Sequence, residues 1–194
     1  MKSVCVFCGS RAGGATVYAD SARRFGELLA ARGLALVYGG GHVGLMGVLA
    51  DAVLRAGGEV VGVIPQAMVE RELAQMNLTR LEVVDTMHQR KARMADLADG
   101  FAALPGGFGT GDELFEILTW AQLGLHTKPV GLLNAAGFFD PLLAWLDHAV
   151  REDFLKPKHR RLLLETDTPD ALLDLLLRYR PEEPETKWIA EEDR

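Results

Sequence analysis

The 194-residue sequence has only two cysteines and no long apolar run, and these shortages exclude several classes of protein. Cys5 and Cys8 have the C-x-x-C spacing of some redox and zinc sites, but no second cysteine pair exists to complete a zinc site. No apolar stretch approaches the roughly 20 residues that a membrane-spanning helix needs. We therefore expect no membrane association, and we expect two reduced, partly buried thiols in a cytoplasmic protein.

Basic residues are also not in excess. Lys and Arg number 21 against 27 Asp and Glu, which gives a formal net charge of -6. Segment 181–194 holds six acids and two basic residues, so it carries -4 of that charge. We predict one domain over residues 1–180 and an acidic tail over 181–194. The acidity argues against nucleic acid as a partner, because binding a polyanion usually needs a basic patch.

Short apolar runs alternate with helical patterns along most of the chain. The apolar runs predict six strands and a weak seventh: Ser3–Phe7, Ala35–Tyr38, Val60–Ile64, Leu81–Val84, Phe101–Leu104, Val130–Leu133 and Leu162–Leu164. Helical spacing predicts the segments between them: Val17–Arg32, Leu45–Ala56, Pro65–Ala74, Thr86–Ala98, Gly111–Leu123, Phe139–Arg151 and a last helix capped by Thr168. This alternation predicts an α/β fold with a mostly parallel sheet and helices on both faces.

Three glycine-bearing turns follow predicted strands, at 8–14, 38–47 and 104–111. In open parallel sheets, ligands bind at the carboxyl ends of the strands, so these turns are expected to meet at one rim. Ser10, in the first turn, lacks a G-x-S-x-G context and is expected to hydrogen-bond a phosphate or ribose rather than act as a nucleophile. Gly41, in the second turn, is expected to lie beside the same ligand.

The third turn, from Leu104 to Glu113, is the most informative. Its glycines let the backbone approach a ligand, and the N–H groups at the start of the next helix attract phosphate. The pattern places three acids near the first helical turn: Asp112, Glu113 and Glu116. Acids at this position complement the helix dipole but repel an anion. Glu116 precedes further apolar positions and is expected to need a cationic partner. The motif indicates a site that holds phosphate and performs chemistry beside it.

The segment after the fourth predicted strand supplies cations. On a helix, Met87, Arg90, Lys91 and Met94 share one face, so two charges lie between two methionines. A solvated basic turn is one interpretation of this pattern. The other is a pocket for a planar base beside a phosphate or carboxylate, with Arg90 facing the acids of the third turn.

Other chemistries are less consistent with the sequence. Gly39, Gly41 and Gly44 satisfy G-x-G-x-x-G, but they follow the second strand, and Glu59 at the expected acidic spacing would begin a strand rather than end one. No G-x-x-x-x-G-K-[ST] loop is present. The histidines are isolated in sequence, so we predict no metal site.

The sequence resembles the LOG family, the cytokinin-activating phosphoribohydrolases. Residues 105–113 match the family signature P-G-G-x-G-T-x-x-E, residues 87–91 resemble M-H-x-R-K, and residues 39–47 resemble a further glycine marker. The resemblance runs from about Val4 to about Leu164. Departures are Asp112 where Glu is common, Gly111 in place of a bulkier residue, and Gln89 where Glu is frequent. Such proteins were often labelled lysine decarboxylases, but no pyridoxal-phosphate lysine context is recognisable.

The resemblance implies a Rossmann-like, doubly wound fold and a homodimer. It also implies hydrolysis of the N-glycosidic bond of purine or cytokinin riboside 5′-monophosphates, AMP included, to free base and ribose 5-phosphate, with no cofactor. Position by position, Arg90 and Glu113 become the catalytic pair. The implied substrate-binding residues are Met87, Lys91, Gly106, Gly107, Gly109, Thr110 and Glu116. A non-catalytic nucleotide-binding module and a DNA-binding relative of the same fold are the alternatives.

Overall fold

The computed structural model describes residues 1–69 and 74–181, which form a parallel sheet between two layers of helices. Its strands are β1 (Ser3–Phe7), β2 (Ala35–Tyr38), β3 (Val60–Pro65), β4 (Arg80–Val84), β5 (Phe101–Ala103), β6 (Val130–Leu133) and β7 (Leu163–Thr166). Its α-helices are α1 (Thr16–Ala31), α2 (Gly44–Arg55), α3 (Gln66–Val69), α4 (Met87–Leu97), α5 (Phe108–Gln122), α6 (Asp140–Arg151), α7 (Pro157–Arg160) and α8 (Pro169–Arg178). Apart from residue 181, the predicted acidic tail lies outside the described residues.

The strand order is β4-β3-β2-β1-β5-β6-β7, and each pair of neighbours is parallel. The chain builds outward from β1 to β4, returns to place β5 beside β1, and continues outward to β7. This reversal of direction makes the sheet doubly wound, which confirms the predicted fold class. The sheet is entirely parallel within the described residues, where a mostly parallel sheet was predicted.

Two apolar cores lie on opposite faces of the sheet because successive residues of a strand point to opposite sides. Val4 and Val6 of β1 pack in the core formed with α1, α2 and α8. Cys5 and Phe7 pack in the other core, with α4, α5 and α6. Burying each large apolar side chain stabilises the fold by about 1.5–3 kcal/mol. Cys5 and Cys8 are free and buried, more completely than predicted.

The start of α4 is fixed by a reciprocal capping interaction. The Thr86 hydroxyl accepts a hydrogen bond from the Gln89 N–H at 3.1 Å, and the Gln89 side chain accepts one from the Thr86 N–H at 3.2 Å. Such a cap satisfies two N–H groups that have no partner within the helix. The cap therefore fixes the start of α4, and with it the positions of Arg90 and Lys91 near the first turn of the helix.

Helix α5 begins at Phe108, three residues earlier than predicted, and Gly107 is its N-cap. The prediction left Gly109 in the turn because glycine is a poor helix former, but the surrounding structure overrides that preference. The first turn of α5 contains no acid. The prediction that Asp112, Glu113 and Glu116 lie near the first turn, where they complement the helix dipole, is therefore wrong.

Candidate active site

The point where the sheet reverses direction lies between β1 and β5, and the turns that follow these strands are in direct contact. The Gly9 N–H donates to the Pro105 carbonyl at 3.0 Å, and a Cβ at Gly106 would stand against the Gly9 nitrogen. Open α/β sheets bind ligands in the crevice at this reversal. The first and third glycine turns therefore border one crevice, as predicted.

The turn after β2 joins them. The Leu45 N–H donates to the Gly9 carbonyl at 3.0 Å, which ties the start of α2 to the first turn. Gly44 has a φ of +61°, and a Cβ there would overlap the backbone of Ser10. Glycine is required at this position on both counts. The predicted convergence of all three turns is confirmed.

Predicted phosphate contacts gather at the N-terminus of α5. Gly107 caps the helix, Gly109 lies in its first turn, and the buried Thr110 side chain lies against Gly106. The first N–H groups of a helix have no partner within it and carry partial positive charge, so this end of α5 attracts an anion. Phe108, the first residue of the helix, is fully exposed.

Arg90 lies at the centre of the site and is buried, with 7% of its surface exposed. Its Nε donates to the Val63 carbonyl of β3 at 3.2 Å. Its guanidinium lies directly against Gly39, where a Cβ would collide with Nη2. Nη2 is 3.7 Å from Oε1 of Glu113. The prediction that Arg90 faces the acids of the third turn is confirmed.

Glu113 is equally buried, with 8% of its surface exposed. Burial raises the pKa of Glu113 to about 7, an effect that Arg90 opposes and Asp112 reinforces. At 3.7 Å, the attraction of Arg90 does not outweigh the loss of water around this carboxylate. Near neutral pH, the protonated and ionised forms of Glu113 are therefore both populated.

Lys91 occupies a neighbouring position on α4 and bonds to two acids of α5. Its Nζ is 3.0 Å from Asp112 Oδ2 and 3.1 Å from Glu116 Oε1. Partial burial lowers the pKa of Lys91, but the hydrogen bonds to Asp112 and Glu116 outweigh it and raise the pKa above its ordinary value. Glu116 thus has the cationic partner that its sequence context predicted.

The remaining predicted residues lie at the same rim. Ser10 is exposed in the turn after β1, and Met87 is half-exposed at the first position of α4. Gly41 is buried and pairs with Ala74 in an isolated bridge. The support that the Val63 carbonyl gives Arg90 was not predicted, since a backbone acceptor leaves no signal in the side chains. The close packing of Gly39 against the guanidinium was not predicted either.

Two further findings concern only residues 1–69 and 74–181. Within these ranges, no three His, Cys, Asp or Glu side chains are grouped so that they could hold a metal ion. No helix there has both the length and the apolar composition to cross a membrane. His126, one of the isolated histidines, forms a hydrogen bond with the Ile117 carbonyl at 3.0 Å, which is a structural contact within the protein.

Fold and site together define a Rossmann-like α/β protein with a buried arginine–carboxylate pair beside an anion-attracting helix end. A family model described as "Possible lysine decarboxylase" matches residues 46–176. A cytokinin riboside 5′-monophosphate phosphoribohydrolase of Arabidopsis thaliana is 48% identical over 180 residues, which cover 93% of this chain and 84% of that protein. One of Oryza sativa subsp. japonica is 48% identical over 181 residues, covering 93% and 75%. The chain belongs to this family, the LOG family, as the motifs predicted.

The fold is shared more widely. The solved structure of the molybdenum cofactor binding protein from Rippkaea orientalis has a TM-score of 0.70, covering 91% of this chain and 96% of that one. The two sequences are 20% identical, so this likeness concerns the fold alone. Function has to be argued from the site.

Proposed function

We propose that this protein hydrolyses the N-glycosidic bond of cytokinin riboside and purine nucleoside 5′-monophosphates, AMP included, releasing the free base and ribose 5-phosphate. The observation that carries this proposal is the buried Arg90–Glu113 pair at the crevice, one helical turn beyond the N-terminus of α5. The names of the Arabidopsis and rice relatives state a phosphoribohydrolase activity on cytokinin riboside 5′-monophosphates.

The start of α5 accounts for the monophosphate. We assign the 5′-phosphate to the N–H groups around Gly106, Gly107, Gly109 and Thr110, with Ser10 and Gly41 on the neighbouring turns. Helix N-termini bind phosphate through their N–H groups and their dipole. Anchoring the phosphate there brings C1′ of the ribose toward Glu113, which lies farther along the same helix, and this orientation lowers the barrier to reaction.

Glu113 accounts for the chemistry. Cleavage of a glycosidic bond builds positive charge on the ribose, and an ionised carboxylate beside C1′ stabilises that charge. A water molecule attacks C1′ and gives a proton to Glu113, while the C1′–N bond breaks and the base leaves with the bonding electrons. The base takes up a proton from the solvent, and Glu113 returns its proton to the solvent after the products leave. A pKa near 7 suits a general base at neutral pH, because the base is then both available and strong.

Arg90 orients Glu113. Its own position is fixed by the Val63 carbonyl and by Gly39, so its guanidinium presents Nη2 to the carboxylate from a fixed direction. Met87, Lys91 and Glu116 border the nucleotide in the assignment that the family resemblance implies. Met87, half-exposed at the rim, offers an apolar, polarisable surface to a base.

A matched pair of variants tests the proposal. Ribose 5-phosphate release from AMP and isopentenyladenosine monophosphate is measured for the wild type, Glu113→Gln and Glu82→Gln. Glu82 is the control because it also pairs with an arginine, Arg93, at 2.6 Å, away from the crevice. We expect Glu113→Gln to abolish release and Glu82→Gln to preserve it. Undiminished release by Glu113→Gln would contradict the assignment.

Binding separates the enzyme from the alternative, a non-catalytic nucleotide-binding module. The fold does not distinguish the two, since a cofactor-binding protein shares it. The enzyme predicts that Glu113→Gln still binds AMP in equilibrium dialysis while losing turnover. If the wild type binds AMP but releases no base from either nucleotide, the binding module is the correct interpretation.

We also propose that the protein is a cytoplasmic homodimer that binds no nucleic acid. Support for the dimer comes from apolar side chains on the outer surfaces of α5 and α6. Phe108 is fully exposed, and Trp145 is 56% exposed where it meets the edge of the Phe115 ring at 5.9 Å between centroids. Trp120, also on α5, is only partly exposed. The free thiols of Cys5 and Cys8 are consistent with a reducing compartment.

A further inference from the structure

Lys91 links the two helices that carry the proposed catalytic pair. It follows Arg90 on α4, and its ammonium lies between Asp112 and Glu116, which flank Glu113 on α5. The Lys91 side chain is 12% exposed and that of Glu116 is 24% exposed, so this contact is less screened than a surface ion pair. Each of the three side chains lies within one helical turn of Arg90 or Glu113.

The contact of Lys91 with Asp112 and Glu116 balances the positive and negative charges around Glu113. Arg90 and Lys91 approach from α4, and Asp112 and Glu116 lie on α5 itself. Two thiols of the sheet side also face the Glu113 carboxyl group: Cys5 in β1 and Cys8 in the turn after it. Burial raises the pKa of both thiols, so they stay uncharged. Two cations therefore offset two neighbouring carboxylates. Removing the Lys91 charge leaves Glu113 with two uncompensated anions and one arginine.

We propose that Lys91 is a positioning residue: it joins α4 to α5 and cancels the charges of Asp112 and Glu116, so that Glu113 can ionise opposite Arg90. This inference rests on the proposed function, in which the ionised form of Glu113 carries the reaction. It replaces the substrate contact that the family resemblance implies for Lys91 and Glu116.

The geometry favours this role over direct contact with the phosphate. One ammonium held by two carboxylates is a group with a net charge of -1, which offers a phosphate no electrostatic attraction. Two of the three ammonium hydrogens are also directed at Asp112 and Glu116. The phosphate site is already provided by the N-terminus of α5.

The test is the pH dependence of kcat/KM for AMP. In the wild type, activity rises as Glu113 loses its proton. Lys91→Met is expected to move this acidic limb upward by about one pH unit, because an uncompensated charge at this range favours the protonated form. Asp112→Asn and Glu116→Gln are each expected to move it downward. Lys91→Arg keeps the charge and is expected to restore the limb to within a few tenths of a unit of the wild type.

Rescue and control variants exclude a merely structural effect. Lys91→Met combined with Asp112→Asn and Glu116→Gln removes both the cation and the anions, and it is expected to return the limb close to its wild-type position. Arg93→Met, on the same helix and paired with Glu82, is expected to leave the limb unchanged. Thermal melting of every variant shows whether it is folded. The proposal is overturned if the acidic limb of Lys91→Met stays at its wild-type pH while KM rises. It is also overturned if the triple variant does not return the limb to its wild-type position.

A second readout does not depend on turnover. The Glu113 carboxyl resonance is followed by carbon NMR against pH in chains labelled at glutamate, and it is assigned by its loss in Glu113→Gln. The proposal predicts an upward shift of the Glu113 midpoint in folded Lys91→Met, and an unshifted midpoint refutes it. If the shift occurs but the wild type hydrolyses no nucleotide, the charge role stands and the proposed function fails.

Discussion

A single methyl group at Gly39 is predicted to disable the site without unfolding the protein. The Cβ of Gly39→Ala would collide with Nη2 of Arg90 and lie 2.8 Å from its Cζ. These atoms are the far end of a flexible side chain, so the arginine moves and the backbone stays. The movement carries Nη2 away from Glu113 and strains the bond from Nε to the Val63 carbonyl. Losing a hydrogen bond made by a charged group, such as that from Arg90 Nε to the Val63 carbonyl, costs about 1.5–3 kcal/mol.

That free energy corresponds to a loss of about 10- to 100-fold in kcat/KM when the contact is made in the transition state. The assay is ribose 5-phosphate release from AMP by Gly39→Ala, with the melting temperature recorded in parallel. Gly14→Ala is the control, because its Cβ meets no atom within 4 Å. Wild-type kcat/KM in Gly39→Ala would refute the argument that Arg90 acts from this fixed position. An equal loss in Gly14→Ala would attribute the effect to glycine loops in general.

Three further predictions concern stability and assembly. Because folding raises the pKa of Glu113, the folded chain binds that proton more tightly than the unfolded chain, and stability falls as pH rises from about 4.5 to about 7. Urea denaturation is expected to show this loss, up to about 3 kcal/mol, in the wild type but not in Glu113→Gln; equal slopes would contradict it. Ala136 has a φ of 52°, so Ala136→Gly is expected to raise stability by up to about 1 kcal/mol in the same assay, and a fall would be inconsistent with strain there. Trp145→Glu is expected to give monomers in sedimentation velocity if α6 forms the dimer contact, whereas an intact dimer would place the interface elsewhere.

The bounds of three strands that are buried on both faces of the sheet were predictable to the residue. Strands β1, β2 and β6 have the predicted bounds, because each is a continuous apolar run between turns. The edge strand β7 ends with Glu165 and Thr166 and was predicted only in part. Its outer side has no neighbouring strand, so polar residues are tolerated there and the apolar signal fades.

The site was predictable to the extent that strand ends determine it. Arg90 and Glu113 follow β4 and β5, so the rule for parallel sheets predicts that they lie at one rim. Their contacts were not predictable in the same way. The bond from Arg90 to the Val63 carbonyl and the pairing of Lys91 with Glu116 depend on how α4 and α5 are rotated about their axes. That rotation is set by packing against the sheet, which local sequence does not encode.

The main-chain bonds that join Gly9 to Pro105 and Leu45 to Gly9 have a consequence for how this protein can diversify. Side chains take no part in these bonds, so the frame of the crevice is independent of which residues decorate its edge. In the proposed function, exchanges at the exposed rim position Met87 alter the preferred base while leaving the phosphate anchor at the start of α5 intact. On that assignment, substrate choice and catalytic geometry are under separate control, and one can be changed without changing the other.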